Sequence, residues 1–313
     1  MRAIVFRDYG DPDVLELAER PEPAYGGDEV LIDVAAASVN PIDARLRAGE
    51  MKGLLPGGFP RIPGYDVAGV VAAAGDRAPF QKGDRVVAFL DHLYGGASAE
   101  RAVCSADSMI AIADAVPFDD AAAIPLAGST ALQSLRDHGK MQSGDRVLVN
   151  GASGGVGAFA VQIAKAYGAT VTAVASGAHE AFVRDLGSDD FLDYEESDFT
   201  MSGRNWNVIF DAAGKSSFSE AKAALTDDGR YVTTEPSLKN AATSLLTWPM
   251  AQQSKVMLAR SRAEDLRELL GLYEAGRLKV EIARRFPLAD AAAAHRMIEN
   301  DSFCGKIVLT VAG

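Results

Sequence analysis

The chain has 313 residues, 48 % of them hydrophobic and 24 % charged. That is the composition of an ordinary globular protein, at a length that exceeds what one hydrophobic core usually supports. Lys and Arg total 31 against 43 Asp and Glu, a net charge of −12 that offers no basic face to a phosphate backbone and excludes nucleic acid as a partner. Cys104 and Cys304 are too few for a Cys-rich zinc site or a disulfide framework. The N-terminus meets charge at Arg7 and Asp8 after a short apolar run, unlike a signal peptide, and stretches such as Val30 to Val39 are too short to cross a bilayer. Two domains, no membrane partner and a reducing, cytoplasmic setting are expected.

Up to about residue 120 the chain reads as β-rich. Ala3 to Phe6, Val30 to Val34, Val67 to Val71 and Arg85 to Phe89 are short apolar, largely β-branched runs. The turn-formers Gly26-Gly27-Asp28, Pro56-Gly57-Gly58, Pro63-Gly64 and Lys82-Gly83-Asp84 separate them. Asp119 to Leu135 is Ala-rich with helical spacing and predicts one helix, capped by Asp119 or Asp120. Strands and helices then alternate. Arg146 to Asn150, Thr170 to Ala175, Asp190 to Leu192, Asn207 to Phe210, Arg230 to Thr233 and Lys255 to Leu258 read as strands. Val156 to Tyr167, Ala178 to Leu186, Phe218 to Leu225 and Ala263 to Ala275 read as helices. Such alternation argues an α/β protein with a doubly wound parallel sheet. Beyond Gly276 strand signals return and end with Lys306 to Val311. The expected organisation is therefore a discontinuous first domain, residues 1–121 with 276–313, around an inserted nucleotide-binding domain at 122–275.

The most informative stretch follows the first strand of that insert: Asn150-Gly151-Ala152-Ser153-Gly154-Gly155-Val156-Gly157. A pyrophosphate needs a strand that ends abruptly, a backbone free of side chains, and a helix N-terminus aimed at the negative charge. Gly154 and Gly155 permit the approach, and Gly157 lets the helix pack close to the sheet. The same residues formally match the Gly-x-Ser-x-Gly elbow of serine hydrolases, with Ser153 as nucleophile and His295 downstream. No oxyanion loop precedes Ser153 and a β-domain lies upstream, so nucleotide binding is the reading adopted. No acid ends the second strand before Glu180. Ser176 can donate to a 2′-phosphate there and His179 gains charge beside one, which favours NADPH over NADH.

Together with Ser38-Val39-Asn40-Pro41-Ile42-Asp43, Pro63-Gly64-Tyr65-Asp66-Val67-Ala68-Gly69, Gly83-Asp84-Arg85-Val86 and Gly305-Lys306-Ile307-Val308-Leu309, these stretches resemble the medium-chain dehydrogenase/reductase superfamily. The branch they resemble is that of the zinc-free quinone oxidoreductases. The resemblance implies a GroES-like β-barrel catalytic domain with a Rossmann domain inserted, and a homodimer formed through the edge strand of the Rossmann sheet. Zinc-dependent relatives carry Cys and His near the positions of Asn40 and Tyr65. Tyr is a poor zinc ligand beside those, so no metal is expected. Without a Lewis acid, reduction of a quinone or an α,β-unsaturated carbonyl is the easier chemistry. The resemblance places Asn40 beside the nicotinamide, and Tyr65 either donates to a substrate oxygen or fills the space of the missing metal. It also implies cofactor contacts from Ser129, Thr130, Tyr194, Ala212, Gly214, Thr234 and Lys306, the last either touching cofactor or pairing with an acid. Asp43 is expected to anchor a turn and Arg47 to form a structural ion pair. The segment Pro236 to Gln253 is expected at the substrate pocket or the dimer contact. A nucleotide-binding module without chemistry is the competing reading.

Overall fold

A computed structural model describes residues 1–53 and 58–311, so Pro56 and Gly57 of one expected turn lie outside the described residues. In chain order the elements begin with β1 (Arg2–Val5), β2 (Glu16–Glu19), β3 (Glu29–Val39), α1 (Pro41–Ala48), β4 (Asp66–Ala74), β5 (Arg85–Phe89), β6 (Arg101–Ser105) and β7 (Met109–Ala111). Next come α2 (Phe118–Ala123), α3 (Pro125–Gln133), β8 (Arg146–Asn150), α4 (Gly155–Ala166), β9 (Thr170–Ala175), α5 (Glu180–Asp185), β10 (Asp190–Asp193) and β11 (Trp206–Asp211). The chain finishes with α6 (Phe218–Ala221), β12 (Leu225–Thr233), α7 (Leu238–Thr247), β13 (Gln253–Val256), α8 (Ala263–Glu274), β14 (Ile282–Pro287), α9 (Ala291–Asn300) and β15 (Lys306–Thr310).

Six strands form a sheet in the order β10-β9-β8-β11-β12-β13, and every neighbouring pair is parallel. The central strands are buried on both faces, which is why β8 and β11 carry the continuous apolar runs Val147 to Val149 and Val208 to Phe210 rather than alternating. Val147, Val149, Val171, Ala173 and Phe210 pack with α3, α4 and α8 on one side. Leu148, Val174, Ile209 and Tyr231 join Phe199, Trp206 and Phe218 on the other. The strand order reverses between β8 and β11, and in doubly wound sheets ligands bind outside the carboxyl ends at that point.

The second sheet has seven strands, β14-β15-β3-β4-β5-β7 with β6 also on β3, and β1 and β2 form a separate hairpin. The first half of β3, Glu29 to Asp33, pairs with β6, and its second half, Ala36 to Val39, pairs with β15. The last strand of the chain thus lies beside one of the first. The backbones of the two sheets meet where Gly305, just before β15, donates its N–H to Ser153 O at 3.0 Å.

One expected helix is two. The segment Asp119 to Leu135 divides at Ile124, because Pro125 brings no N–H to a continuing helix and instead starts α3 at its first position. The N-cap of α2 is Pro117, not Asp119 or Asp120. Both acids sit in its first turn, where Asp119 pairs with Arg285 at 2.6 Å and Asp120 accepts from the Tyr273 hydroxyl at 2.6 Å. The expected helix Phe218 to Leu225 is likewise shorter: a single 3₁₀ turn, Lys222–Ala224, follows α6 and Leu225 already begins β12.

Candidate functional site

The glycine turn joins β8 to α4. Gly151 has φ 84°, in the left-handed region that favours glycine. A Cβ on Gly157 would stand 2.0 Å from the Gly151 carbonyl oxygen, so only glycine allows α4 to pack this close to the strand. The turn spends several of its own donors. The amides of Gly151 and Ala152 both donate to Val174 O at 3.0 Å, and that of Gly154 donates to Gly151 O at 3.2 Å. The amides of residues 151, 152 and 154 therefore shape the loop, and those of Val156 and Gly157 in the first turn of α4 are placed for an anion. A Cβ on Gly154 would meet nothing nearer than 3.6 Å, whereas one on Gly155 would strike the Lys306 side chain at 2.8 Å.

The turn opens onto a cavity of about 710 Å³ at the ends of β8, β9 and β11, lined among others by Asn150, Gly151, Val174, Tyr194, Phe199 and Ala213. Its floor is tied together. Asn150 donates to Asp211 Oδ1 at 2.9 Å, and the carbonyl of Asn150 accepts from Ala212 and Ala213. Asp211 is fully buried and also accepts from Tyr231 Oη and from the Ser216 amide, each at 2.9 Å, which fixes the loop after β11. In that loop Gly214 has φ 64°. Thr234 donates to Ala212 O at 3.2 Å. Ala212 and Gly214 were expected at the cofactor, but the organising role of Asp211 between them and β8 was not legible in the sequence.

At the end of β9 the Ser176 hydroxyl donates to Glu195 Oε1 at 3.2 Å, and His179 Nδ1 lies 3.0 Å from Ser153 Oγ. Tyr194 is 60 % exposed beside them. An acid does reach this corner, from β10 rather than β9. Parallel pairing of Asp193 with Ala175 delivers Glu195 there, and the signal was the acidic run Asp193-Tyr194-Glu195-Glu196. Ser153 thus has His179 as its partner. His295 lies buried on α9 with neither ring nitrogen hydrogen-bonded, so the structure does not assemble the hydrolase pairing.

On the side of the seven-stranded sheet, Asn40 is 1 % exposed. Its Nδ2 donates to Asp66 Oδ2 at 2.8 Å and its Oδ1 accepts from Lys306 Nζ. Both ends of this amide are thus engaged inside the protein. Lys306 runs its methylenes past Gly155 and also lies 3.8 Å from Asp66 Oδ2, so of its two expected roles the structure shows pairing with an acid. Asp43 Oδ2 accepts the Asn40 amide at 2.8 Å, the anchoring role expected of it. Burial pushes its carboxyl up to about 7, against hydrogen bonds that favour the anion. Burial also raises Asp66, opposed by the Lys306 ammonium, and lowers Lys306, opposed by Asp66 and Asp43. Arg47 pairs with Glu299.

Tyr65 donates its hydroxyl to Leu93 O at 2.8 Å and meets Phe89 edge-on. Burial, then the charge of Asp43, raises its hydroxyl above the ordinary value. These residues do not suit a zinc ion. Asn40 oxygen is taken by an ammonium, Asp66 by three donors, and Tyr65 faces a carbonyl, where a tetrahedral site needs three free ligands. Among the described residues no group of three or more His, Cys, Asp or Glu is placed to hold a metal.

α3 supplies Ser129, whose Oγ is buried without a partner, and Thr130, which donates back to Leu126 O at 2.7 Å. The orphaned Ser129 hydroxyl, the amides at the start of α4 and the cavity lined by Gly151 all suit a dinucleotide. Across the cleft Arg45 donates to both oxygens of Glu235 at 3.2 and 3.4 Å. After β12, Ser237 caps α7 by accepting from the Asn240 amide.

The description "Alcohol dehydrogenase GroES-like domain" matches residues 26–114 and "Zinc-binding dehydrogenase" matches residues 186–309. A chloroplast envelope quinone oxidoreductase homolog of Arabidopsis thaliana is 33 % identical over 323 residues, covering 99 % of this chain and 98 % of its own. A chloroplastic NADPH-dependent alkenal/one oxidoreductase of the same plant is 33 % identical over 321 residues, covering 99 % and 79 %. The solved quinone oxidoreductase from Coxiella burnetii superposes with a TM-score of 0.91 at 32 % identity, covering 100 % of this chain and 99 % of its own.

Proposed function

Because the chain belongs to the quinone-oxidoreductase branch of the medium-chain dehydrogenase/reductase superfamily, we propose that it is an NADPH-dependent, zinc-independent reductase of quinones or α,β-unsaturated carbonyls. The observation that carries this reading is the glycine turn between β8 and α4, whose Gly151 lines the cavity at the β8/β11 switch point. When bound, the reduced nicotinamide supplies a hydride. For an enone acceptor, the β-carbon gains a C–H bond, the C=C electron pair moves toward the carbonyl oxygen, and a proton from water completes the product. The chain's own contribution is positioning: α4 holds the pyrophosphate, and Ser129 and Thr130 approach the nicotinamide half. Asn40 acts from within the wall rather than on the acceptor.

NADPH is supported by the absence of an acid at the end of β9 and by His179 and Ser176 at that corner. The Ser176–Glu195 bond has to open for a 2′-phosphate. The test follows nicotinamide absorbance with NADPH or NADH and a panel of quinones and enones. Turnover is expected, with a higher kcat/KM for NADPH. Tight NADPH binding without turnover of any acceptor would instead support the binding-module reading.

We also propose a homodimer joined at β13, in a cytoplasmic setting. β13 ends the sheet order, and Leu238, Leu245, Leu246, Trp248 and Met250 beside it are exposed. No helix among the described residues is long and apolar enough to cross a membrane.

A further inference from the structure

One carboxylate joins the two halves of the cleft. Asp66 opens β4 and is 0 % exposed. Its Oδ1 accepts the Leu126 amide, in the first turn of α3, at 2.8 Å. Its Oδ2 accepts from Ser38 Oγ at 2.6 Å and from Asn40 Nδ2 at 2.8 Å, with Lys306 Nζ 3.8 Å away. Burying a charge is costly, and here three hydrogen bonds and a nearby ammonium offset it. Lys306 extends the chain of contacts, because it donates to Asn40 and lies across Gly155. The helix that starts at the phosphate turn and the helix that carries Ser129 are therefore both referred to the same buried group.

We propose that Asp66 is a positioning residue for hydride transfer. It ties the start of α3 to Asn40 and Lys306, and so sets the placement of the nicotinamide-side helix against the acceptor's wall. The inference rests on the reductase reading above. Transfer between two bound partners demands an approach of roughly 3–3.5 Å, and an error of about 1 Å can cost about 100-fold in rate. Asn at this position keeps the shape but replaces one acceptor oxygen by a donor. Ser38 can turn its hydroxyl to accept from the new amide, but Asn cannot accept from both Leu126 N–H and Asn40 Nδ2, so one of those two bonds is lost.

The experiment uses the full chain with NADPH and the acceptor that it turns over best. Asp66→Asn is expected to leave the NADPH Kd within about threefold, to lower kcat by about 100-fold, and to raise the primary deuterium isotope effect as hydride transfer becomes slow. The double variant Asp66→Asn/Lys306→Met is expected to stay as slow. Recovery of kcat in the double variant would mean that Asp66 merely neutralises Lys306, and would overturn the proposal. A loss no larger than the loss of folded protein, with the isotope effect unchanged, would overturn it as well. If Asp66→Asn does not fold, Ser38→Ala removes one donor and keeps the charge pair. A reduced kcat with a raised isotope effect then supports positioning, and wild-type values of both refute it. A wild-type protein that oxidises no NADPH defeats the reductase reading itself, whereas full turnover by Asp66→Asn defeats only this inference.

Discussion

A methyl group on residue 157 has nowhere to go. Its neighbour is the carbonyl oxygen of Gly151, which is backbone and cannot swing aside. Gly157→Ala is therefore expected to push α4 away from β8, lowering stability by about 1–3 kcal/mol and weakening NADPH binding at least about tenfold. Denaturant titration and coenzyme fluorescence check the two effects separately. Gly157 was legible in the sequence because close approach of backbone to backbone leaves glycine as the only solution. The role of Asn40 was not legible. Its partners Asp66 and Lys306 stand 26 and 266 positions away, and no local pattern says that both ends of its amide are taken. Glu195 escaped for the same reason, since it enters the coenzyme corner from a neighbouring strand.

The pairing of α1 with α9 illustrates what an element buries besides apolar surface. His295 on α9 is 1 % exposed, and its imidazole faces Arg47 of α1. Glu299 of α9 neutralises that guanidinium, and Arg296 of α9 pairs with Asp13 at the chain's first turn. Burial, and next the Arg47 charge, pushes His295 down from 6.5 to about 3. The unfolded chain therefore binds a proton that the folded chain refuses. The stability that neutral His295 preserves is complete above its unfolded value and is lost as the pH falls from there toward 3. Relative to His295→Leu, the wild type is expected to lose about 2 kcal/mol between about pH 7 and 5, measured by urea unfolding. Element boundaries show a further limit of the sequence. The Ala-rich run from Asp119 to Leu135 has helical spacing throughout, and only Pro125 marks the division. Strand and helix alternation after Arg146 was plain because both faces of that sheet's centre are covered, which gives β8 and β11 continuous apolar runs.

At the scale of the whole molecule, the two sheets are joined by the Arg45–Glu235 pair, by Gly305 on Ser153, and by Asp66 on Leu126. Which strands share a sheet follows from period and chain order; which surfaces stay bare does not, because exposure depends on what the rest of the chain covers. The apolar side chains of α7 are a case of this. If β13 and α7 meet a second copy, light scattering is expected to give about twice the mass of one chain. Leu245→Glu/Leu246→Glu, at positions 69 % and 68 % exposed, is expected to yield monomers that still bind NADPH. A persistent dimer in that variant would place the contact elsewhere. The arrangement of β3 has a consequence for how the chain is made. Its second half is paired by β15, which follows every strand of the parallel sheet in the chain, whereas that sheet is complete at β13. The parallel sheet can therefore close before β15 is made, while β3 still presents an unzippered border that only β15 seals.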